Sequence, residues 1–204
     1  MRMLAIETAT EACSVALFED GMLVGGCHET IGRGHAERLV PMIAGLPDKG
    51  RADEIRVSLG PGSFTGVRIG LATARALGIA WGVGVRGYPT LALVAAMARE
   101  KIEGPLVACM NGGHGQWFVQ AYDPAGLPGG DVLSLSPEAA REQFGHLPAA
   151  GNRAAELHGG ATQPDQALAL LPDARGVLLI EPDLLSDKLS PVYGRPPDAR
   201  LPDR

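Results

Sequence analysis

Residues 55–80 constrain this chain more than any other stretch. An apolar run, Ile55-Arg56-Val57-Ser58-Leu59, meets Gly60-Pro61-Gly62, and a helix-like run follows over residues 67–80. Glycines where a strand feeds a helix leave room for close backbone approach by a phosphate, a ligand or another helix. A phosphate-binding Walker loop needs a lysine after the glycines, and Thr65-Gly66-Val67-Arg68 has none there. A dinucleotide GxGxxG fits poorly, because Pro61 and Phe64 fill the loop. A structural or helix-contact role is therefore favoured. Gly66, Gly70, Ala74 and Gly78 recur every fourth residue as a stripe of small side chains, with Thr65 as the expected N-cap. Each glycine inside a helix costs about 0.5–1 kcal/mol relative to alanine. Some packing or ligand requirement must outweigh that loss. Arg68 and Arg75, seven residues apart, share a face.

Three strands are expected before the first helix, over residues 3–7, 13–19 and 22–29. Asp20-Gly21 between the last two is a two-residue hairpin signal, since a type I′ turn needs positive φ at both positions. Residues 35–46 show helical period, with Leu39, Met42, Ile43 and Leu46 on one face and Pro41 interrupting. A short strand over 83–85 and a helix over 90–99 follow the glycine helix. The order β-β-β-α-β-α-β-α suits a mixed sheet with an antiparallel edge and helices on its faces. Glu100-Lys101-Ile102-Glu103-Gly104 is a linker candidate. Beyond it, strands are expected over 105–110 and 116–122, helices over 137–144 and 164–171, and a strand over 177–180. The tail is proline-rich.

With 204 residues the chain holds one large domain or two small ones, and its net charge of −5 argues against a general nucleic-acid binder. Cys13, Cys27 and Cys109 are far apart and form no CxxC pair, so neither a zinc ribbon nor a disulfide framework is indicated. A carboxylate at Glu7 comes too early for a signal peptide, and no apolar run reaches the ~20 residues that span a bilayer. A soluble, cytoplasmic chain is expected.

The candidate chemical groups are few. His35 has no second histidine at helix spacing, which favours a cap or surface role over metal binding. Glu7-Thr8-Ala9-Thr10-Glu11 joins two strands. Its hydroxyls and amides could hold a phosphate, and its carboxylate a hydrated Mg²⁺. Equally, it could be a threonine-rich turn satisfying its own backbone. There is no GxSxG elbow, and Ser63 has no flanking histidine.

Residues 4–17, the segment His35-Ala36-Glu37-Arg38-Leu39-Val40-Pro41-Met42-Ile43, the run from Gly60 through Leu77, and Tyr193, Arg195 and Pro196-Pro197-Asp198-Ala199 together resemble the TsaB (YeaZ) family. The likeness covers most of residues 4–99 and the tail, while 125–185 follow by position. It implies an α/β fold of two RNase H-like lobes of the actin/hexokinase (ASKHA) superfamily, with mixed sheets and flanking helices. Residues 1–100 would be the partner-binding lobe and 101–204 a smaller lobe with an extended tail.

The resemblance implies a non-catalytic scaffold role in making N6-threonylcarbamoyladenosine beside the tRNA anticodon. The chain would pair with the transferase TsaD, with TsaE and tRNA engaged through the complex and a homodimer open to the chain when alone. No cofactor is implied. The transferase's metal-binding HxxxH pair would align with Thr90 and Val94, which are poor ligands. The implied interface comprises His35, Arg38, Leu39, Met42, Ile43, Arg68, Ile69, Gly70, Leu71, Ala74, Arg75 and Gly78. Glu7, Thr8 and Thr10 remain candidate nucleotide contacts. Against the family pattern, Glu7 replaces an aspartate, Asn111-Gly112-Gly113 replaces Asp-Ala-Arg, and Gly194 replaces an aliphatic residue. A stand-alone metallo-glycopeptidase or ATPase of the same superfamily is the competing reading.

Overall fold

The computed structural model describes residues 1–160, 166–192 and 194. The chain opens with β1 (Arg2–Glu7), β2 (Ala12–Glu19) and β3 (Met22–Thr30), then α1 (His35–Ala44), β4 (Glu54–Ser58), α2 (Phe64–Trp81), β5 (Gly84–Tyr88) and α3 (Thr90–Ala98). Asp20 and Gly21 have φ of 49° and 81°, the positive pair that a type I′ hairpin requires. The remainder contains β6 (Leu106–Gly113), β7 (Gln116–Tyr122), β8 (Leu133–Leu135), α4 (Pro137–Phe144), β9 (Ala149–Ala150), α5 (Ala154–Leu157) and β10 (Ala167–Leu168).

The strands form two five-stranded sheets, ordered β3-β2-β1-β4-β5 and β10-β9-β6-β7-β8. In the first, β1 runs antiparallel to β2 and parallel to β4; in the second, β6 runs antiparallel to β7 and parallel to β9. Numbered within its own half, each sheet reads 3-2-1-4-5, the RNase H-like order. The chain is thus an α/β protein of two lobes with one repeated topology.

The central strands are apolar on both faces because both faces are covered. Leu4 and Ile6 of β1, with Val15 and Leu17 of β2, pack against Leu39, Met42 and Ile43 of α1 and Val67, Leu71 and Ala74 of α2. Met3, Ala5, Ala16 and Phe18 point the other way, into a core shared with α3 and with Ala108, Met110 and Phe118 of the second sheet. Helix α3 lies between the sheets, which is why Leu91 to Ala96 are apolar on every side. Val107, Cys109, Trp117 and Val119 form the outer core of the second sheet with Ala140, Ala154 and Leu157.

Three local expectations are corrected. Helix α2 starts at Phe64 and is capped by Ser63, whose Oγ accepts the Gly66 N–H at 3.2 Å, so Thr65 is not its cap. No helix spans 164–171: Ala167–Leu168 is a strand pairing parallel with β9, and residues 164 and 165 lie outside the described set. Residues 177–180 are not a strand, because Ala174–Leu179 forms a 3₁₀ turn. Asp173 caps that turn by accepting the Arg175 N–H, and the Ala174 N–H donates to Ser14 Oγ at 2.9 Å. This segment crosses the first sheet's face instead of extending an edge. Tyr193, Arg195 and residues 196–199 lie outside the described residues.

Candidate functional site

The glycine stripe of α2 faces inward. A Cβ on Gly66 would collide with the Thr8 carbonyl oxygen, one on Gly70 with Thr8 Oγ1, and one on Gly78 would lie 2.6 Å from Val85 Cγ2. Gly62, just before the helix, is pressed in the same way against the Ala9 carbonyl. The stripe therefore lets α2 sit directly on the β1–β2 turn and on its own sheet. Gly70, Ala74 and Gly78, with Leu39, Met42, Ile43 and Leu71, are buried within the lobe. As interface side chains these seven are corrected: they fill a core. His35 is also buried. Its Nε2 lies 2.9 Å from the Thr10 carbonyl and 3.1 Å from the Ala12 carbonyl. Two acceptors require that this nitrogen carry the proton, so His35 clamps the turn from the start of α1.

The solvent side of the same two helices has a different composition. On α2 it presents Phe64, Arg68, Ala72, Arg75, Ala76, Ile79 and Ala80, with Ile69 half-buried. On α1 it presents Ala36, Glu37, Arg38, Val40, Pro41 and Ala44. Ile79 is 85% exposed, Val40 57% and Phe64 55%. Ala72, Ala76 and Ala80 make a second small-residue stripe, which the sequence reading passed over because glycine is the louder signal. The inward set Val67, Gly70, Leu71, Ala74 and Gly78 was the available clue: its spacing marks the core face, leaving 68, 72, 75, 76 and 79 outside.

The arginines of this face are held. Arg38 forks the Glu29 carboxylate, with Nε to Oε2 at 2.9 Å, and that bonding holds the Glu29 carboxyl below its usual range. The Arg68 guanidinium stacks on the Phe64 ring, 3.3 Å from its centroid. Arg75 donates to the Leu189 carbonyl at 2.6 Å.

The β1–β2 turn is closed. Glu7 and Thr8 have no appreciable exposure. Thr8 Oγ1 donates to the Gly66 carbonyl at 2.8 Å, and Thr10 Oγ1 accepts the Ala12 N–H at 3.1 Å. Of the two open readings, this geometry is the self-satisfied turn. Glu7 and Thr8 present no oxygen to a nucleotide here, which corrects the nucleotide expectation at those positions. Glu7 Oε1 accepts the Ala9 N–H at 2.7 Å, while Oε2 is buried without a hydrogen-bond partner. Burial pushes this carboxyl up to about 7, against the opposing pull of the Ala9 N–H. Nearby, Tyr88 OH donates to the Ile6 carbonyl at 2.8 Å, and the hydroxyls of Ser58 and Thr90 are 2.6 Å apart.

The chain is 36% identical over 157 residues to the tRNA threonylcarbamoyladenosine biosynthesis protein TsaB of Escherichia coli (strain K12), spanning 72% of this chain and 68% of that protein. This chain belongs to the TsaB (YeaZ) family. A TsaB of Haemophilus influenzae is 38% identical over 108 residues, covering 44% of its length. The solved structure of YeaZ from Pseudomonas aeruginosa superimposes with a TM-score of 0.76 at 28% identity, over 94% of this chain and 99% of that one. The family model "TsaD: tRNA N6-adenosine threonylcarbamoyltransferase" matches residues 25–132. A protein of that name from Solidesulfovibrio magneticus is 30% identical over 198 residues, 82% of this chain and 52% of its own length.

In this TsaB-family chain, Thr90 and Val94, the positions implied to align with the transferase's histidines, are fully buried. Thr90 bonds Ser58, and Val94 sits in the shared core. Among the described residues, no group of three or more His, Cys, Asp or Glu side chains could hold a metal, and no helix is long and apolar enough to cross a membrane.

Proposed function

We propose that this TsaB-family chain acts in forming threonylcarbamoyladenosine on tRNA, as the non-catalytic partner of TsaD. It docks through the solvent side of α1 and α2 in residues 1–100, with residues 101–204 as the smaller lobe. TsaE and tRNA meet the assembled complex in the cytoplasm, and the same face pairs with a second copy when TsaD is absent. One observation carries the reading: a helix surface built from Ala72, Ala76 and Ala80, with Ile79 standing 85% exposed beside it. Small side chains let a partner helix approach closely, and a projecting isoleucine gains about 1.5–3 kcal/mol when fully covered. Arg38, Arg68 and Arg75 flank this surface and supply its polar margin.

The metallo-glycopeptidase and ATPase readings draw no support from the site. Thr90 and Val94 are sealed in the interior, and so are Glu7 and Thr8. The test is reconstitution from purified TsaD, TsaE, the synthase that makes threonylcarbamoyl-AMP, and tRNA. Modified adenosine should accumulate only when this chain is added. Turnover of ATP or release of glycopeptide fragments by the chain alone would overturn the scaffold reading.

A further inference from the structure

The β1–β2 turn that anchors α1 also touches the second lobe. Asn152, in the turn between β9 and α5, donates from Nδ2 to Glu11 Oε1 at 2.8 Å. Its amide orientation is fixed, because Oδ1 accepts the Asn111 N–H at 2.9 Å, leaving only the Nδ2 side for the carboxylate. The backbone N–H of Asn152 points at Met110 Sδ, 3.3 Å away. Gly151, at φ 122°, sets this position: a Cβ there would collide with the Cys109 carbonyl and lie 2.7 Å from Met110 Sδ. On the other side, the Glu11 carbonyl accepts the N–H groups of Ile31 and Gly32, both at 2.9 Å, just before α1 begins. The turn's neighbouring carbonyls, those of Thr10 and Ala12, are held by His35 of α1. Hydrogen bonds thus join the second sheet to Glu11 through Asn152, and the Glu11 turn to the approach of α1 through residues 31 and 32 and, at the neighbouring Thr10 and Ala12, to His35 at the start of the helix.

We propose that Glu11 and Asn152 form a latch that fixes the angle between the two lobes and ties it to the position of α1. On the docking reading above, on which this second half rests, partner binding then depends on the latch being closed. The chemistry allows a reversible test. In Glu11→Gln the side-chain oxygen still accepts from Asn152, so the latch stays closed. In Asn152→Asp a second carboxylate replaces the donor and repels Glu11, so it opens. Combining both substitutions restores a donor facing an acceptor, with the roles exchanged.

Nitroxide labels on cysteines replacing the exposed Arg51 and Glu142, in a Cys27→Ser background and diluted with unlabelled chain, report the distance between lobes by pulsed electron resonance. The wild type and Glu11→Gln should give one narrow distribution, Asn152→Asp a broadened or shifted one, and the double variant the narrow one again. An unchanged distribution in Asn152→Asp, or a double variant as broad as Asn152→Asp, would overturn the latch. TsaD should bind Asn152→Asp about fivefold or more weakly, with recovery in the double variant. Equal affinity across the series, with the distances changing as expected, would overturn the coupling to α1 and leave the latch. Absence of TsaD binding by the wild type would overturn the docking reading alone.

Discussion

In the first lobe, α2 runs 18 residues along its sheet, pressed onto it by Gly66, Gly70 and Gly78, and turns Ala72, Ala76 and Ile79 to solvent. In the second lobe the corresponding layer is α4 and α5, of eight and four residues, and α4 exposes Glu138, Arg141, Glu142 and Gln143. The turns differ as well. At the end of β1 the Glu7 carboxyl is buried; near the end of β6 Asn111 is exposed, as are His114 and Gly115 between β6 and β7. One strand order therefore carries two finishes: a helix layer whose outside mixes small and apolar residues with arginines, and a short helix layer that exposes charged and polar residues. On the docking proposal, the repeated topology supplies the frame and only the first copy carries a surface for a partner.

The sharpest way to break the contrast is Gly66→Leu. Its side chain would meet the Thr8 carbonyl, and backbone cannot yield cheaply, so a loss of about 4 kcal/mol or more is expected in denaturant unfolding. Glu142→Leu on α4 meets no such constraint and should stay within about 0.5 kcal/mol. If both variants unfold alike, the inward reading of the stripe is wrong.

The buried carboxyl of the first turn predicts the next largest effect. Its folded pKa, about 7, lies above the ordinary 4.5, so the folded state binds its proton more tightly than the unfolded state. Its stabilising contribution is complete below pH 4.5 and is lost as pH rises through 7, by roughly 3 kcal/mol in all. Glu7→Gln should flatten that slope between these limits. A wild-type stability that rises with pH across this window, or a slope unchanged in the variant, would contradict the burial argument.

Ile79→Asp keeps the lobe folded and should weaken TsaD binding by about 2 kcal/mol, roughly thirtyfold, by calorimetry. Arg75→Ala should cost less, about 1 kcal/mol or under, because its guanidinium already bonds Leu189 and lies at the margin. A reversed order would move the centre of the interface toward the arginines.

Much of this was legible in the residues. The Asp20-Gly21 turn, the strand over 116–122 and the helix over 137–144 declare themselves through local chemistry: residues that take positive φ, a short apolar run centred on Trp117, Phe118 and Val119, and a proline at a helix start. The direction of the glycine stripe was not legible from its small residues alone. Alanines and glycines recur at a four-residue spacing on both sides of α2, and only the apolar partners Val67 and Leu71 tell inside from outside. The stretch 164–171 was misread because alternating Ala and Leu suit either a helix or a short buried strand, and pairing with β9 decided it. Residues 177–180 were misread because their role is to cover a sheet face, a long-range demand that no local pattern records. The Glu11–Asn152 contact joins positions 141 residues apart, so it became visible only in the fold.

Light scattering of this chain mixed with TsaD, wild type against Ile79→Asp, tests the central claim most directly. The wild type should elute at the summed mass of the two chains, and the variant, folded by circular dichroism, should elute as separate species. A variant that still travels at the summed mass would show that TsaD is held elsewhere on the molecule.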